Sequence, residues 1–187
     1  KQLLIKLRSA FGNDFLIQIN GQQAADYAMP YVNGNYLEDF IDLTMSPHWM
    51  GHDWKYVLDL YIKWCNIPSK VVITAINSTA GFFPQYEAPI ILPFDENCRI
   101  LQRMRFGLAT ALMSDGYYGF DLNTRWRGQH WWYQEYDVPL GSPIGEAQQC
   151  DDGTWKREFE GGLVVVNTGP CECRISFTRQ WRDFTTG

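Results

Sequence analysis

The sequence predicts an α/β fold: about four parallel strands alternating with helices, then a small antiparallel β segment. Three observations predict it. Four short apolar runs are separated by stretches of helical period, each run closes on a polar or acidic residue, and the alternation changes character after Leu122. Strands separated by helices pair in parallel and are covered by those helices.

The chain opens on "KQLLIKLRSAF", where Leu3, Leu4, Leu7 and Phe11 recur at helical spacing. "DFLIQIN" reads as a buried strand ending at Gly21. "QQAADYAMPYV" is a short helix or irregular crossover, broken at Pro30 for want of an N–H. "NGNYLEDF" is the second strand, entered through a turn at Asn33-Gly34. "DWKYVLDLYIKWC" carries the clearest amphipathic pattern and predicts a helix from Asp53 to Cys65, with Asp53 as N-cap. "KVVITAIN", β-branched and nearly all apolar, is the third strand. A loop rich in Phe and Pro, "STAGFFPQYEAPIILPFD", leads to the long helix "ENCRILQRMRFGLATALMSD", whose Met and Leu stripe is expected to be core. "GYYGFDL" is the fourth strand, and "TWKREFEGGLVVVNTG" and "CECRISFTRQW" alternate as antiparallel strands do.

Right-handed crossovers leave two architectures for the parallel part, an open doubly wound sheet or a portion of a (β/α)8 barrel. No Gly-rich turn follows any strand, which disfavours a dinucleotide-binding fold. The polar strand ends, Asn20, Glu38 with Asp39, Asn77 and Asp121, favour the barrel, whose active sites assemble at the C-terminal strand ends. A whole barrel has eight strands and typically about 250 residues. Four strands therefore predict the second half of a (β/α)8 TIM-type barrel over residues 1–125, with a rim loop and antiparallel β appendage over 126–187. The remaining half is expected from upstream sequence or from another chain, since a half barrel alone leaves two open strand edges. The opening residues show neither an initiator Met nor a signal-peptide pattern and read as the middle of a larger protein.

With 187 residues, 45% of them hydrophobic, the chain can bury a sizeable core. A net charge of -5 without any basic run excludes nucleic acid as a partner. No apolar stretch approaches the roughly 18–20 residues of a membrane span. Aromatic residues make up 16%, including eight Trp, an excess that suits stacking on a ligand as well as packing. Sugars are the polar ligands that aromatic faces most often hold, and an extracellular or cell-surface location is favoured.

Five cysteines leave one unpaired if the others bridge within the chain. Cys171 and Cys173 point to the same side of a strand-like tail, and either can reach Cys150; free buried thiols are the alternative. "PHWMGHDW" holds His48 and His52 four apart. Gly51 interrupts the segment and no zincin glutamate is present, so a substrate contact by His48 or Trp49 is preferred to a metal site. Asn77-Ser78-Thr79 matches a glycosylation sequon. No metal or cofactor is expected.

Three further stretches stand in a telling order: "MRFGLATALMSDGYYGFD", then "WWYQEYDVPLGSPIGEA", then "WKREFEGGLVVVN". Asp115-Gly116-Tyr117-Tyr118, the run Tyr133 to Asp137, Leu140-Gly141 with Pro143-Ile144-Gly145, and Arg157 through Asn167 carry the distinctive spacing. Across Met104–Asn167 the sequence resembles the C-terminal half of a hypothetical glycosyl hydrolase family, one of the glycoside-hydrolase-like families grouped with α-galactosidase-type barrels. The resemblance implies a (β/α)8 barrel and hydrolysis of O-glycosidic bonds in a polysaccharide or oligosaccharide. A catalytically inactive relative that binds carbohydrate or has a structural role is the alternative.

Glycoside hydrolysis usually takes two carboxyl groups, one protonating the leaving oxygen and one acting as nucleophile or as base towards water. Similar barrels of the endo-galactosaminidase type place the nucleophilic Asp at the end of the fourth strand and the acid/base Glu at the end of the sixth. By that resemblance "NGNYLEDF" is the sixth strand. Glu38 is then the acid/base, with Tyr36 and Phe40 able to desolvate its carboxyl, and the nucleophile lies upstream. Asp39 is its rival, because successive strand residues face opposite ways; capping or a Lys partner is the bland role for Glu38. Asp121 is expected to bond a substrate hydroxyl, against a cap or an Arg125 partner. Asn20, Asn77 and His48 complete the substrate contacts. The Trp-rich segment is expected to drape over the same rim, with Trp131 or Trp132 stacked on a sugar. Tyr133, Glu135 and Asp137 would alternate to one side, and Glu135 or Asp137 would accept hydroxyl bonds. The alternative has the rings closing the barrel bottom and the acids pairing with Arg125 or Arg127.

Overall fold

The computed structural model describes residues 1–21, 25–38, 53–79, 99–121 and 132–169. The chain divides into two compact units, Lys1–Gln129 and His130–Gly187.

The first unit is a four-stranded sheet with helices. Its strands are β1 (Gln18–Asn20), β2 (Gly34–Leu37), β3 (Ala75–Thr79) and β4 (Tyr117–Asp121), and its helices are α1 (Gln2–Phe11), α2 (Trp54–Cys65) and α3 (Arg99–Ala111). The strands lie in chain order, and every neighbouring pair is parallel. The predicted parallel sheet is thus present, although its strands are shorter than the apolar runs. β3 begins at Ala75 rather than near Lys70, because Ile73 and Thr74 bond as connectors: Ile73 N–H to Asn33 O at 2.8 Å, and Tyr117 N–H to Thr74 O at 2.9 Å. Asn77 is consequently mid-strand, with two strand residues after it.

α2 forms where the periodicity places it. The Asp53 side chain accepts the Tyr56 N–H at 2.9 Å, satisfying one of the amides that a helix start leaves orphaned. Its apolar stripe, Trp54, Val57, Leu58, Tyr61 and Trp64, is buried. Each large aromatic removes roughly 150–250 Å² from water. The polar tips are satisfied as well: Trp54 Nε1 donates to Thr110 Oγ1 at 3.0 Å and Tyr61 OH to Ala111 O at 3.2 Å, tying α2 to α3. In α3, Met104 is fully buried, as the Met and Leu stripe predicts.

Pro30 does not break the segment that contains it. Asp26–Tyr31 is a 3-10 helix with Pro30 near its end, where the missing N–H costs one bond of a short helix only. α1 forms, but none of its residues is buried; Arg8 anchors it through Tyr31 O (2.8 Å) and Asn33 Oδ1 (3.1 Å).

The second unit is a three-stranded antiparallel sheet, β5 (Gln148–Gln149), β6 (Trp155–Glu158) and β7 (Leu163–Val166). Turn residues 138–145 close onto it: Ile144 N–H reaches Glu158 O at 2.9 Å, Gly161 N–H reaches Leu140 O at 2.7 Å, and Ser142 N–H reaches Glu160 Oε2 at 3.0 Å. Buried Arg157 donates to Gly145 O at 3.0 Å and lies 5.5 Å from the Phe159 ring centroid. Cys65 and Cys150 are free thiols, while Cys171 and Cys173 lie outside the described residues.

Close approach dictates one glycine of the sheet. A Cβ on Gly34 would sit 2.5 Å from the backbone carbonyl carbon of Ile73 and the amide nitrogen of Thr74. Gly34→Ala is therefore expected to destabilise the protein by about 2 kcal/mol or more. Gly119→Ala, whose Cβ meets nothing nearer than 3.9 Å, should change stability by less than about 1 kcal/mol. Urea midpoints of the two variants against the parent check this pair.

Candidate functional site

Parallel register sorts the strand side chains onto two faces. Leu37 pairs with Ile76, Ile76 with Tyr118, and Ser78 with Phe120, and these residues share the helix-covered face. Leu37, Ile76, Ser78 and Phe120 are buried there. Ser78 Oγ and Tyr118 OH are 2.6 Å apart, and Tyr118 OH donates to Met104 O at 3.0 Å. The contact is close enough that a Cβ on Gly107 of α3 would meet both oxygens at 2.4–2.5 Å.

The opposite face takes the alternate residues. Asn20, Tyr36, Ala75 and Tyr117 are level in the register, and Asn77 is level with Gly119. One residue past β2, alternation brings Glu38 level with Asn77, and Asp121 follows two positions beyond Gly119. Four expected site residues, Asn20, Glu38, Asn77 and Asp121, thus fall on one face towards the C-terminal strand ends. Asn20 Nδ2 donates to Glu38 Oε2 at 3.0 Å, joining the ends of β1 and β2. Glu38 and Asp121 are half-buried and Asn20 is exposed. Asn77 is buried, so its sequon does not present the exposed amide that glycosylation needs. Asn77 Cβ lies 3.9 Å from where a Cβ on Gly119 would stand, the nearest approach among the described residues. Asp39, His48 and Trp131 lie outside the described residues.

Asn35, on the helix-covered face, sets the geometry of this end. Fully buried, it accepts the Gly21 N–H at 2.9 Å and donates to Gly21 O, clamping the exit of β1 onto β2. Sequence reasoning passed over Gln18, Tyr117 and Gly119 as members of the polar face. Their signal was the period of two in "QIN" and "YYGFD", which carries the face backwards from Asn20 and Asp121.

A separate depression of about 500 Å³ lies at the other ends of the strands, lined by Arg8, Asn33, Ser69 and Val71 among others. Two of its lining side chains are bonded within the fold. Arg8 already bonds Tyr31 O, Asn33 Oδ1, Gly12 O and Phe15 O, and Asn33 Nδ2 donates to Ser69 Oγ and Val71 O. Among the described residues no group of three or more His, Cys, Asp or Glu side chains could hold a metal. None of the described helices is long and apolar enough to cross a membrane.

In the second unit the expected alternation of Tyr133, Glu135 and Asp137 does not occur. Gln134–Asp137 is a 3-10 helix, so these residues are not an extended row. The turn folds Asp137 back onto Trp132, whose indole Nε1 donates to Asp137 Oδ2 at 2.9 Å. Trp132 meets Tyr136 edge to face with centroids 5.5 Å apart, and Tyr136 meets buried Tyr133 in the same manner at 5.6 Å. Burial, then the Glu135 charge, pushes the Tyr136 phenol up to about 12. Tyr133 is pushed up too, by burial first and then by Tyr136 and Glu135.

The model of hypothetical glycosyl hydrolase family 15 matches residues 1–163. The chain belongs to this family. No curated protein matches it. The part matched to the glycosyl hydrolase family takes in the whole parallel sheet, the Trp132–Tyr136 turn and the strands β5 and β6.

The raised phenol of Tyr136 gives a directional test. In the unfolded chain it ionises near 10, whereas in the folded chain it keeps its proton to about 12. Its contribution to stability is complete below pH 10 and is lost as pH rises from 10 to about 12. The difference in phenolate absorbance between the parent and Tyr136→Phe should therefore appear near pH 12, and the variant should lose less stability across that window. A difference signal at pH 10 contradicts the packed ladder.

Proposed function

We propose that the protein is a barrel glycoside hydrolase that cleaves O-glycosidic bonds of a polysaccharide or oligosaccharide, with Glu38 as the acid/base. The observation that carries this reading is the 3.0 Å bond from Asn20 to Glu38 at the C-terminal ends of two adjacent parallel strands. Membership of a glycosyl hydrolase family supports the substrate class. The strand order, sequential and without reversal, supports the second half of a (β/α)8 barrel over a doubly wound sheet, whose order reverses at its ligand crevice. The remaining half is supplied by preceding sequence or another chain, and with it the second carboxylate.

In this reading Glu38 gives its proton to the glycosidic oxygen as the bond from that oxygen to the anomeric carbon breaks. The second carboxylate or its activated water takes the anomeric carbon, and one water is consumed per bond cleaved. Asn20 holds the Glu38 carboxyl by donating to Oε2. Asp121 bonds a sugar hydroxyl on the polar face; the hydroxyl contact expected of Asn77 is set aside, because its amide is buried. Asp121 stands two strands from β2, roughly 9–10 Å laterally, which suits a hydroxyl contact better than the about 5–5.5 Å pairing of a retaining nucleophile with its acid. Asp39 is the rival acid and His48 a further substrate contact; on the second unit, taken by itself, Trp131, Trp132, Glu135 and Asp137 offer contacts to sugar. No metal or organic cofactor enters the mechanism.

The test uses the protein with its complete barrel. Glu38→Gln should lower kcat by about 10³-fold or more on oligosaccharides with poor leaving groups, with circular dichroism unchanged. Asn20→Ala should lower kcat by about 10-fold with KM nearly unchanged, a split that a purely structural residue would not produce. Unchanged kcat in Glu38→Gln with loss in an Asp39→Asn variant moves the acid to Asp39. A parent protein that binds oligosaccharide without turnover establishes the inactive carbohydrate-binding alternative.

A further inference from the structure

Trp132 is 72% exposed, more than any other large hydrophobic side chain among the described residues, yet it is held in place. Its indole edge is bonded to Asp137 Oδ2 at 2.9 Å, and its position is backed by Tyr136, which is backed in turn by buried Tyr133. An exposed Trp that serves only packing has no need of two restraints that leave it uncovered. A ring fixed before a ligand arrives avoids the ordering cost that a free side chain would incur on binding.

The charges carried by the described part of this unit narrow the ligand. Residues 132–169 carry seven carboxylates, Glu135, Asp137, Glu146, Asp151, Asp152, Glu158 and Glu160, against Lys156 and Arg157. Arg157 is buried and engaged with Gly145 O, so it does not present its charge to a ligand at the ring. Asp137 stands at the indole edge and Glu135 lies in the same turn. An acidic ligand laid on Trp132 would bring like charges together, whereas an uncharged one presents hydroxyls for Asp137 to accept. The flat C–H face of a pyranose covers an indole and places its equatorial hydroxyls at the rim.

We infer that Trp132 and Asp137 form a docking platform for an uncharged pyranoside, one that turns away sugars bearing carboxylate or sulfate groups. The inference deepens the carbohydrate reading above and rests on it for the ligand class alone; it requires no catalysis by Glu38. Asp137 has two roles here, orienting the indole through one oxygen and setting the charge that rejects acidic sugars.

Isothermal titration on the Glu38→Gln protein, in which turnover is blocked, tests it. The probes are neutral oligosaccharides of glucose, galactose, mannose, N-acetylglucosamine and N-acetylgalactosamine, with oligogalacturonate as the acidic counterpart. At least one neutral probe should bind, oligogalacturonate at least about 10-fold more weakly, and Trp132→Ala should weaken the neutral probe by about 10-fold or more. Trp132→Phe should recover part of that loss. Asp137→Asn, whose amide oxygen still accepts the indole N–H, should narrow the gap between the neutral probe and oligogalacturonate at low salt. Absence of binding by every neutral probe, equal binding of the acidic probe by the parent, or an unchanged affinity in Trp132→Ala overturns the inference. Trp132-dependent binding in a protein that hydrolyses nothing leaves the platform standing and removes the hydrolase. Hydrolysis with a KM indifferent to Trp132 does the reverse.

Discussion

Everything the first unit offers follows from a sheet whose one face is sealed by helices. A strand in such a sheet has two sets of side chains with different fates. The set that includes Leu37, Ile76, Ser78 and Phe120 lies against the helix-covered face and is buried. In the other set Asn20, Tyr36, Tyr117 and Asp121 are half-buried or exposed. Close packing holds the register: Gly34 against the backbone at Ile73–Thr74, and Gly107 of α3 against Ser78 and Tyr118. A register slip of one residue would exchange the two sets, so the same contacts that stabilise the sheet also aim its polar residues.

That arrangement explains how much was legible in the sequence. The helix from Asp53 onward is visible because both its cap and its stripe are local, and the structure reproduces them. Strand identity and parallel pairing are visible because the apolar runs alternate with helices. Strand ends are less so. Nothing in "KVVITAIN" shows that Ile73 and Thr74 bond as connectors to Asn33 and Tyr117, because those partners lie about 40 residues away. The shift makes Asn77 an interior residue of β3, yet it stays on the polar face because period-two alternation survives a change of endpoint. The candidate site was therefore readable as a face, more dependably than as a set of terminal residues.

The turn at Gln134–Asp137 shows the limit of the same reasoning. Alternation was assumed for Tyr133, Glu135 and Asp137, and alternation requires extended backbone. An indole N–H seeking an acceptor and a carboxylate five residues on compete with that conformation, and the 3-10 turn lets them meet at 2.9 Å. The outcome depends on Tyr133 being buried and Tyr136 stacking on it, a matter of packing that no local pattern encodes.

The motifs that carried the family resemblance divide by physical role. Leu140, Gly141, Ile144 and Gly145 belong to the turn that bonds to Glu158, Glu160 and Gly161, and Arg157 secures Gly145; these positions hold the second unit together. Asp115-Gly116 closes the entry to β4, where a Cβ on Gly116 would strike Tyr61 OH and Thr74 O. Spacing between such residues is constrained because each must meet a fixed partner, so it is what a family pattern detects most readily. The residues suited to chemistry, Glu38 with Asn20 and Trp132 with Asp137, depend on that frame without being part of its contacts. A chain can therefore keep the frame that makes the family recognisable while changing what a few side chains do, which is why the roles proposed for Glu38 and for Trp132 each need a test of their own.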